Sequence, residues 1–244
     1  MLGGDTLWRE SGSGPPLLLL HGVPTSSLLF RDVMDHLPGR VIAPDLPGYG
    51  DSAPLRAVDL GAYVDWLEAF LSMLGLDSVT VAGQDFGAYL GAGLAGRGRV
   101  EALVLTSTAL SWGWAPSVLA ALPPFDRLFY SLFGGRAYLA RAERGQVLTA
   151  LHVGRIESDP DLVGRMRRTA LAIRGVDPEP LRQIPTTCIW GSEDPLFPAW
   201  MGRRTAAAIG ARWQLIEGGR HTLPWDRPLQ WAAAVREFLQ GNPD

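Results

Sequence analysis

One turn of the sequence places an aspartate between two glycines, in Gly83-Gln84-Asp85-Phe86-Gly87. It follows a β-branched run over 78–82 and leads into a helical pattern that extends to about Ala95. Glycines let a strand reverse into a helix within a few residues, because side chains there would clash with crowded backbone. The residue at the tip of such a turn is strained and points out at the carboxyl edge of a sheet. A carboxylate there is ionised at pH 7 and has the chemistry to attack a saturated carbon.

Two further polar residues follow predicted strands late in the chain. Asp194 lies in Gly191-Ser192-Glu193-Asp194-Pro195, and His221 lies in Gly218-Gly219-Arg220-His221-Thr222. Each comes at the carboxyl end of a predicted strand, as Asp85 does, which places all three at one edge of a parallel sheet. Glu193 is a rival to Asp194 as the acidic partner of the histidine. The sequence contains no G-x-S-x-G turn, so Asp85 is the candidate nucleophile.

Short apolar runs alternate with helical patterns and predict the sheet that positions these residues. Strands are expected over 6–10, 17–20, 40–44, 78–82, 100–106, 186–190 and 212–217, and helices over 27–37, 58–74, 87–95, 199–209 and 229–239. This alternation predicts an α/β fold with a mostly parallel sheet flanked by helices. Between 107 and 184 the pattern is helix-like and carries no clear strand. We therefore expect a core of 1–106 and 185–244, with a helical cap over 107–184 inserted before the last two strands.

The composition excludes several classes of function. A net charge of −3 over 244 residues gives no electrostatic case for binding nucleic acid, and no apolar run is long enough to cross a membrane. All 22 basic residues are arginine, which excludes Schiff-base and phosphate-loop lysines. The four histidines lack metal-ligand spacing, so we expect neither a metal nor another cofactor. The single cysteine, Cys188, makes a cytoplasmic location the default expectation.

Over nearly its whole length the chain resembles the α/β-hydrolase superfamily. The resemblance is carried by the order of elements, the turn at Asp85 and the motifs His21-Gly22-Val23-Pro24 and Gly191-Ser192-Glu193-Asp194-Pro195. An aspartate at this turn is similar to the epoxide hydrolase and haloalkane dehalogenase branches. In the superfamily a nucleophile, an acid and a histidine follow in that order along the chain. The resemblance therefore implies the α/β-hydrolase fold and the catalytic set Asp85, Asp194 and His221.

This resemblance implies a two-step hydrolysis. Asp85 would displace a leaving group from carbon and form an ester, and His221, oriented by Asp194, would activate the water that attacks the ester carbonyl. The backbone N–H groups of Val23 and Phe86 would bind the resulting oxyanion.

The choice between an epoxide and a halide depends on the donors that stabilise the leaving group. Epoxide hydrolases usually use two cap tyrosines, and the cap here contains Tyr130 and Tyr138. The second tyrosine is expected late in the cap, where this sequence has none. His152 or an arginine would then have to take its place.

Haloalkane dehalogenases bind the halide with a tryptophan after the nucleophile, together with an asparagine after the His-Gly pair or a cap tryptophan. The corresponding residues here are Phe86 and Val23, which leaves the indole groups of Trp112, Trp114 and Trp200 as candidate donors. We therefore expect an epoxide hydrolase-like enzyme that acts on a small hydrophobic substrate and water. A haloalkane dehalogenase-like hydrolase is the alternative, and a non-catalytic ligand-binding module on the same fold is the alternative from another class.

Overall fold

The computed structural model describes residues 4–108, 110, 164, 165, 168, 169 and 176–241. Five of the candidate leaving-group residues lie outside these described residues: Trp112, Trp114, Tyr130, Tyr138 and His152. The expected cap, over 107–184, falls for the most part outside them as well. Within the described ranges, no helix combines the length and the apolar character needed to cross a membrane.

The described strands form one twisted sheet of seven strands, in which only the first strand is antiparallel to its neighbour. They are β1 (Trp8–Gly12), β2 (Pro16–Leu20), β3 (Arg40–Pro44), β4 (Val79–Gln84), β5 (Val100–Thr106), β6 (Thr186–Gly191) and β7 (Arg212–Ile216). Their order across the sheet is β1-β3-β2-β4-β5-β6-β7, which places β4 at the centre. The strand that precedes Asp85 is therefore flanked by parallel neighbours on both sides, β2 and β5.

Helices cover both faces of this sheet. The α-helices of the described ranges are α1 (Leu60–Met73), α2 (Phe86–Ala95), α3 (Ala199–Ile209), α4 (Leu223–Asp226) and α5 (Pro228–Leu239). Leu18 and Leu20 of β2 belong to the core that includes residues of α1 and α2, whereas Leu17 and Leu19 belong to the opposite core with Trp231 of α5. Burial on both faces explains why the strands read as continuous apolar runs. The expected α/β fold, with a mostly parallel sheet flanked by helices, is confirmed.

Two local expectations differ from the structure. The segment over 27–37 forms two short 3-10 helices, Ser27–Phe30 and Met34–His36, rather than one α-helix. Backbone hydrogen bonds in this segment span three residues, and the Val33 N–H, for example, donates to Phe30 O at 3.0 Å. This spacing aligns side chains three residues apart, so that Phe30 and Val33 both reach the core. The first strand begins at Trp8 rather than at residue 6, because its limits follow its pairing with β3.

Candidate active site

Asp85 occupies the tip of the sharp turn between β4 and α2. Its backbone has φ 51° and ψ −118°, a strained conformation for a residue with a side chain. The turn is held by the Asp85 N–H, which donates to Thr106 O at 2.9 Å, and by the Ala88 N–H, which donates to Asp85 O at 3.1 Å. Neighbouring strands and the helix therefore over-determine a conformation that costs on the order of 1–3 kcal/mol in isolation.

The two glycines of the turn are required by close backbone approach. A Cβ on Gly83 would lie 2.5 Å from the Cα of Ala88, in the first turn of α2. A Cβ on Gly87 would overlap the carbonyl oxygen of Leu20, at the end of β2. Helix α2 can begin directly above the sheet only because both positions lack a side chain.

The two oxygens of the Asp85 carboxylate have different partners. Oδ1 accepts the backbone N–H of Phe86 at 2.5 Å, and Oδ2 lies 3.6 Å from Nε2 of His221. The Asp85 side chain is 17% exposed, so it keeps access to the open side of the sheet edge. One oxygen is thus fixed on a backbone donor while the other faces the histidine.

His221 lies in the loop that follows β7, at the same edge of the sheet. Its side chain is buried, and the ring of Phe197 stacks against it with centroids 5.6 Å apart and an interplanar angle of 24°. Nδ1 lies 3.2 Å from Oδ2 of Asp194, and Nε2 faces Asp85. The imidazole therefore lies between two carboxylates, with one ring nitrogen toward each.

Asp194 follows β6 and is fully buried at its side chain. Its Oδ1 accepts the backbone N–H groups of Leu196 and Phe197, each at 2.9 Å, which leaves Oδ2 for His221. The rival acid, Glu193, has a side chain that is 60% exposed and lies 3.8 Å from Arg220. The structure therefore brings Asp194, and not Glu193, to the histidine.

Burial and charge act in opposite directions on the pKa values of His221 and Asp194. Burial alone would lower the pKa of His221, but the carboxylates of Asp194 and Asp85 outweigh it and raise the pKa to about 10. Burial alone would raise the pKa of Asp194, but the His221 charge and the Phe197 amide hold it below its ordinary value. With Asp85 ionised, the electrostatics favour an imidazolium that is paired with both carboxylates.

Gly22, in the loop after β2 that also carries Val23, lies beside Asp85. A Cβ on Gly22 would lie 2.6 Å from the Cβ of Asp85, so this loop passes directly against the turn. The loop that carries Val23 and the backbone of Phe86 are thus both adjacent to the Asp85 side chain. Phe86 itself points its ring into the core, where it packs edge-on against Tyr63 at 5.1 Å.

His21 supports the loop rather than taking part in a proton relay. Its buried Nε2 accepts the Leu46 N–H at 2.9 Å, and Nδ1 lies 2.8 Å from Gly22 O, to which it donates. Burial is the largest effect on its pKa and lowers it, in spite of the nearby Asp45 carboxylate. A neutral imidazole with one donor and one acceptor satisfies both contacts.

Two residues at the site were given no role beside the catalytic residues by the sequence, although Phe197 was among the apolar residues expected to line a pocket for a small hydrophobic substrate. Phe197 stacks on His221, and Gln84 contacts both His221 and the Gly22 backbone. For Gln84 the available signal was a long polar side chain at the end of an otherwise apolar strand. Phe197 offered no comparable signal, because apolar residues are common after a strand. Within the described ranges, no three His, Cys, Asp or Glu side chains form a group that could hold a metal ion.

Comparisons with known proteins bear on the family and the fold of the chain. The model of the Alpha/beta hydrolase family matches residues 17–235. A haloalkane dehalogenase of Mycolicibacterium paratuberculosis is 34% identical over 248 residues, which cover 95% of this chain and 70% of that protein. Haloalkane dehalogenase 2 of Mycobacterium tuberculosis H37Rv is 29% identical over 261 residues, covering 93% and 89%. A bromoperoxidase structure from Bacillus anthracis has a TM-score of 0.76 at 21% identity, covering 97% and 96%, which concerns the fold alone.

Proposed function

The chain belongs to the alpha/beta hydrolase family, and from that premise we propose that it hydrolyses its substrate through an ester on Asp85. The observation that carries the proposal is the placement of His221 within 3.6 Å of Asp85 and 3.2 Å of Asp194. This set differs from a serine triad because its nucleophile is already an anion, and an anion attacks carbon without a base.

In the first step, Oδ2 of Asp85 attacks a saturated carbon of the substrate. The new carbon–oxygen bond replaces the bond to the leaving group, which departs with its electron pair. Oδ1, which accepts the Phe86 N–H at 2.5 Å, becomes the ester carbonyl oxygen. That oxygen then already lies on one of the two backbone donors expected to stabilise the oxyanion of the second step, with Val23 supplying the other.

In the second step, water attacks Cγ of Asp85 and gives a proton to Nε2 of His221. The tetrahedral intermediate releases the product alcohol, which takes up the proton from His221, and the Asp85 carboxyl group loses the second proton of the water to restore the carboxylate. Ester formation has removed the negative charge of Asp85, one of the two carboxylates that raise the pKa of His221. The first step therefore lowers the pKa of His221 and favours the neutral imidazole, which is the form that accepts a proton in the second step.

A carbon–halogen bond is the substrate class that the comparisons favour, since two curated relatives carry the name haloalkane dehalogenase. An epoxide is the second candidate, and one observation favours it. Val23 and Phe86 present no side-chain N–H at the positions where a halide would need donors, and an epoxide oxygen needs a proton donor from elsewhere. We propose that this donor, like the substrate-binding surface, belongs to a helical cap over 107–184 on a core of 1–106 and 185–244.

A covalent intermediate is tested by trapping it. His221→Gln protein is mixed separately with bromoalkanes and with epoxides, and its intact mass is followed with time. We expect an adduct on Asp85 that persists because the base is missing, at a hydrolysis rate lower by roughly 10²–10⁴. An adduct that has lost bromide differs in mass from one that has kept the epoxide oxygen, so the same spectrum separates the two substrate classes.

Two controls make the trapping decisive. His36→Gln carries the same substitution at an exposed residue and is expected to turn over like the wild type. Asp85→Ala is expected to form no adduct. In H₂¹⁸O, a single wild-type turnover should place ¹⁸O in Asp85 rather than in the alcohol. Direct incorporation into the alcohol would exclude the ester, and tight binding with neither adduct nor turnover would favour a ligand-binding module.

The cellular compartment is proposed on separate grounds. Cys188 is the single cysteine of the sequence, and it is buried in β6 as a free thiol. Burial raises the pKa of this thiol to about 12, so it resists oxidation. A chain that needs no disulfide is suited to the cytoplasm, which is the location that we propose.

A further inference from the structure

Gln84 joins the loops on either side of Asp85. It is the last residue of β4 and is 1% exposed. Its Oε1 accepts the Gly22 N–H at 3.1 Å, and its Nε2 donates to His221 O at 3.2 Å. The same Nε2 lies 3.3 Å from Nε2 of His221. One buried amide therefore connects the loop that carries Gly22 and Val23 with the loop that carries His221.

The orientation of this amide is fixed by its partners. The Gly22 N–H can only donate, and the His221 carbonyl can only accept. If the amide were turned over, two donors would face each other at Gly22 and two acceptors at His221. Both mismatched pairs would leave buried polar groups without partners, which is unfavourable. The nitrogen of Gln84 must therefore be the atom that faces the imidazole.

A donor at this place distinguishes the two protonation states of His221. The Gln84 N–H can donate to Nε2 only while that nitrogen carries a lone pair. The proton of the neutral imidazole then lies on Nδ1, which faces Asp194 at 3.2 Å. In the imidazolium, Nε2–H and the Gln84 N–H are two donors that face each other. The amide thus opposes the effect of the two carboxylates, which favour the charged form.

We propose that Gln84 is a positioning residue that holds His221 in the neutral, proton-accepting tautomer for ester hydrolysis; this rests on the function proposed above. Its hydrogen bond to the His221 carbonyl fixes the loop that carries His221. The longer contact, 3.3 Å between Nε2 of Gln84 and Nε2 of His221, is replaced when the attacking water binds. Its bond to Gly22 keeps the oxyanion loop against Asp85. The first step, which needs no base, is expected to depend little on this amide.

The charged groups around His221 have to be considered in any test by pH. Among the described residues, the carboxylates that act on it are Asp194, from the loop after β6, and Asp85, from the turn after β4. The nearby Glu193 side chain is directed toward Arg220 and is largely exposed. A shift caused by a change at Gln84 can therefore be compared between ester and free enzyme, which differ in the charge of Asp85.

The test uses Gln84→Met, which removes the donor at similar length, and Gln84→Glu, which replaces it with an acceptor. The pKa of His221 is followed by NMR in protein labelled with ¹⁵N-histidine, without substrate. We expect it to rise in the order wild type, Met, Glu, by about one pH unit or more for Glu. Gln183→Glu, at an exposed position, is the matched control and should leave it unchanged.

Kinetics supply the second measurement. Rapid quenching with 1-bromobutane or styrene oxide separates ester formation from ester decay. We expect the rate of ester decay to fall at least tenfold in both variants at neutral pH, and its pH profile to move to higher pH in Gln84→Glu. The rate of ester formation is expected to change less than threefold. An equal loss in both steps, or a His221 pKa that is the same in all variants, would overturn the role proposed for Gln84. If the wild-type protein forms no ester, the proposed function fails, but the NMR result still shows whether Gln84 favours the neutral form of His221.

Discussion

Nδ1 of His221 lies 3.2 Å from Oδ2 of Asp194, whose other oxygen is already bound to two backbone N–H groups. The backbone therefore fixes the orientation of the Asp194 carboxylate that contacts the histidine. An aspartate held in this way accepts a hydrogen bond from Nδ1–H and so places the lone pair of the imidazole on Nε2, toward Asp85.

Asp194→Asn is expected to reverse that tautomer. The asparagine carbonyl would remain on the amides of Leu196 and Phe197, so its NH₂ group would face Nδ1 and require a lone pair there. Nε2 would then carry the proton and could not accept one from water. We expect ester hydrolysis to fall by roughly 10⁴ while ester formation is reduced far less, measured by single-turnover quenching. Glu193→Gln is the control, and a comparable loss in that variant would contradict the assignment of the acid.

The stability of the fold is expected to decline from pH 6.5 to 8.5. The pKa of His221 is raised from 6.5 to about 10 in the folded protein, so its stabilising effect is complete below pH 6.5 and is lost as the pH rises toward 10. The lowered pKa of Asp194 acts in the other direction and costs stability as the pH falls below its ordinary value of 3.8. The measurement is the urea midpoint against pH.

His221→Gln is expected to flatten this decline between pH 6.5 and 8.5. The range stops there because burial also raises the pKa values of Cys188 and Tyr63, each to about 12, and their titration in the unfolded chain adds a further loss at higher pH. A wild-type midpoint that is level over this range would show that His221 is not charged in the free protein.

Val23→Asn is expected to favour a halide as the leaving group. An asparagine amide would supply a side-chain N–H in the loop that lies against Asp85. A hydrogen bond to a charged group contributes about 1.5–3 kcal/mol, which corresponds to at least a tenfold rise in the rate of bromide release. Val23→Leu has the same shape as the asparagine without its donor. Equal effects of the two substitutions on bromide release would contradict a role for the added donor.

Gly87→Ala is expected to destabilise the protein by about 3 kcal/mol or more, because its Cβ would meet the backbone carbonyl of Leu20. Gly75→Ala is the matched control. Gly75 has φ 70° but nothing within 4 Å of its Cβ position, so the cost there is limited to backbone strain of about 1 kcal/mol. Urea denaturation of both variants gives the comparison. Similar losses would mean that α2 can move away from β2 at little cost.

The residues that the sequence predicted well are those marked by local patterns. The apolar strand runs and the pair Gly83 and Gly87 are patterns within a few neighbouring residues, and they predicted Asp85 at the tip of a turn. The order of motifs then indicated Asp194 and His221, although the neighbouring Glu193 could be set aside only from its exposure and its position near Arg220.

Contacts between distant parts of the chain had no such local mark. Gln84 and His221 are 137 residues apart, and neither the amide nor its orientation follows from the periodicity of β4. The sequence did not predict the 3-10 helices over 27–36, for a related reason. Their apolar spacing resembles that of an α-helix, and packing against the sheet decides between the two.

The chain leaves the sheet at Thr106 and returns on the neighbouring strand, where Thr186 pairs with Leu103 and the Leu103 N–H donates to Pro185 O at 2.9 Å. Both ends of the intervening stretch are therefore anchored to adjacent strands, whatever its length or content. Doubling the length of such a stretch costs only about 0.6 kcal/mol in closure entropy. Natural variation or deliberate exchange can thus lengthen, shorten or replace the stretch between these two strands at little cost to the sheet that holds Asp85.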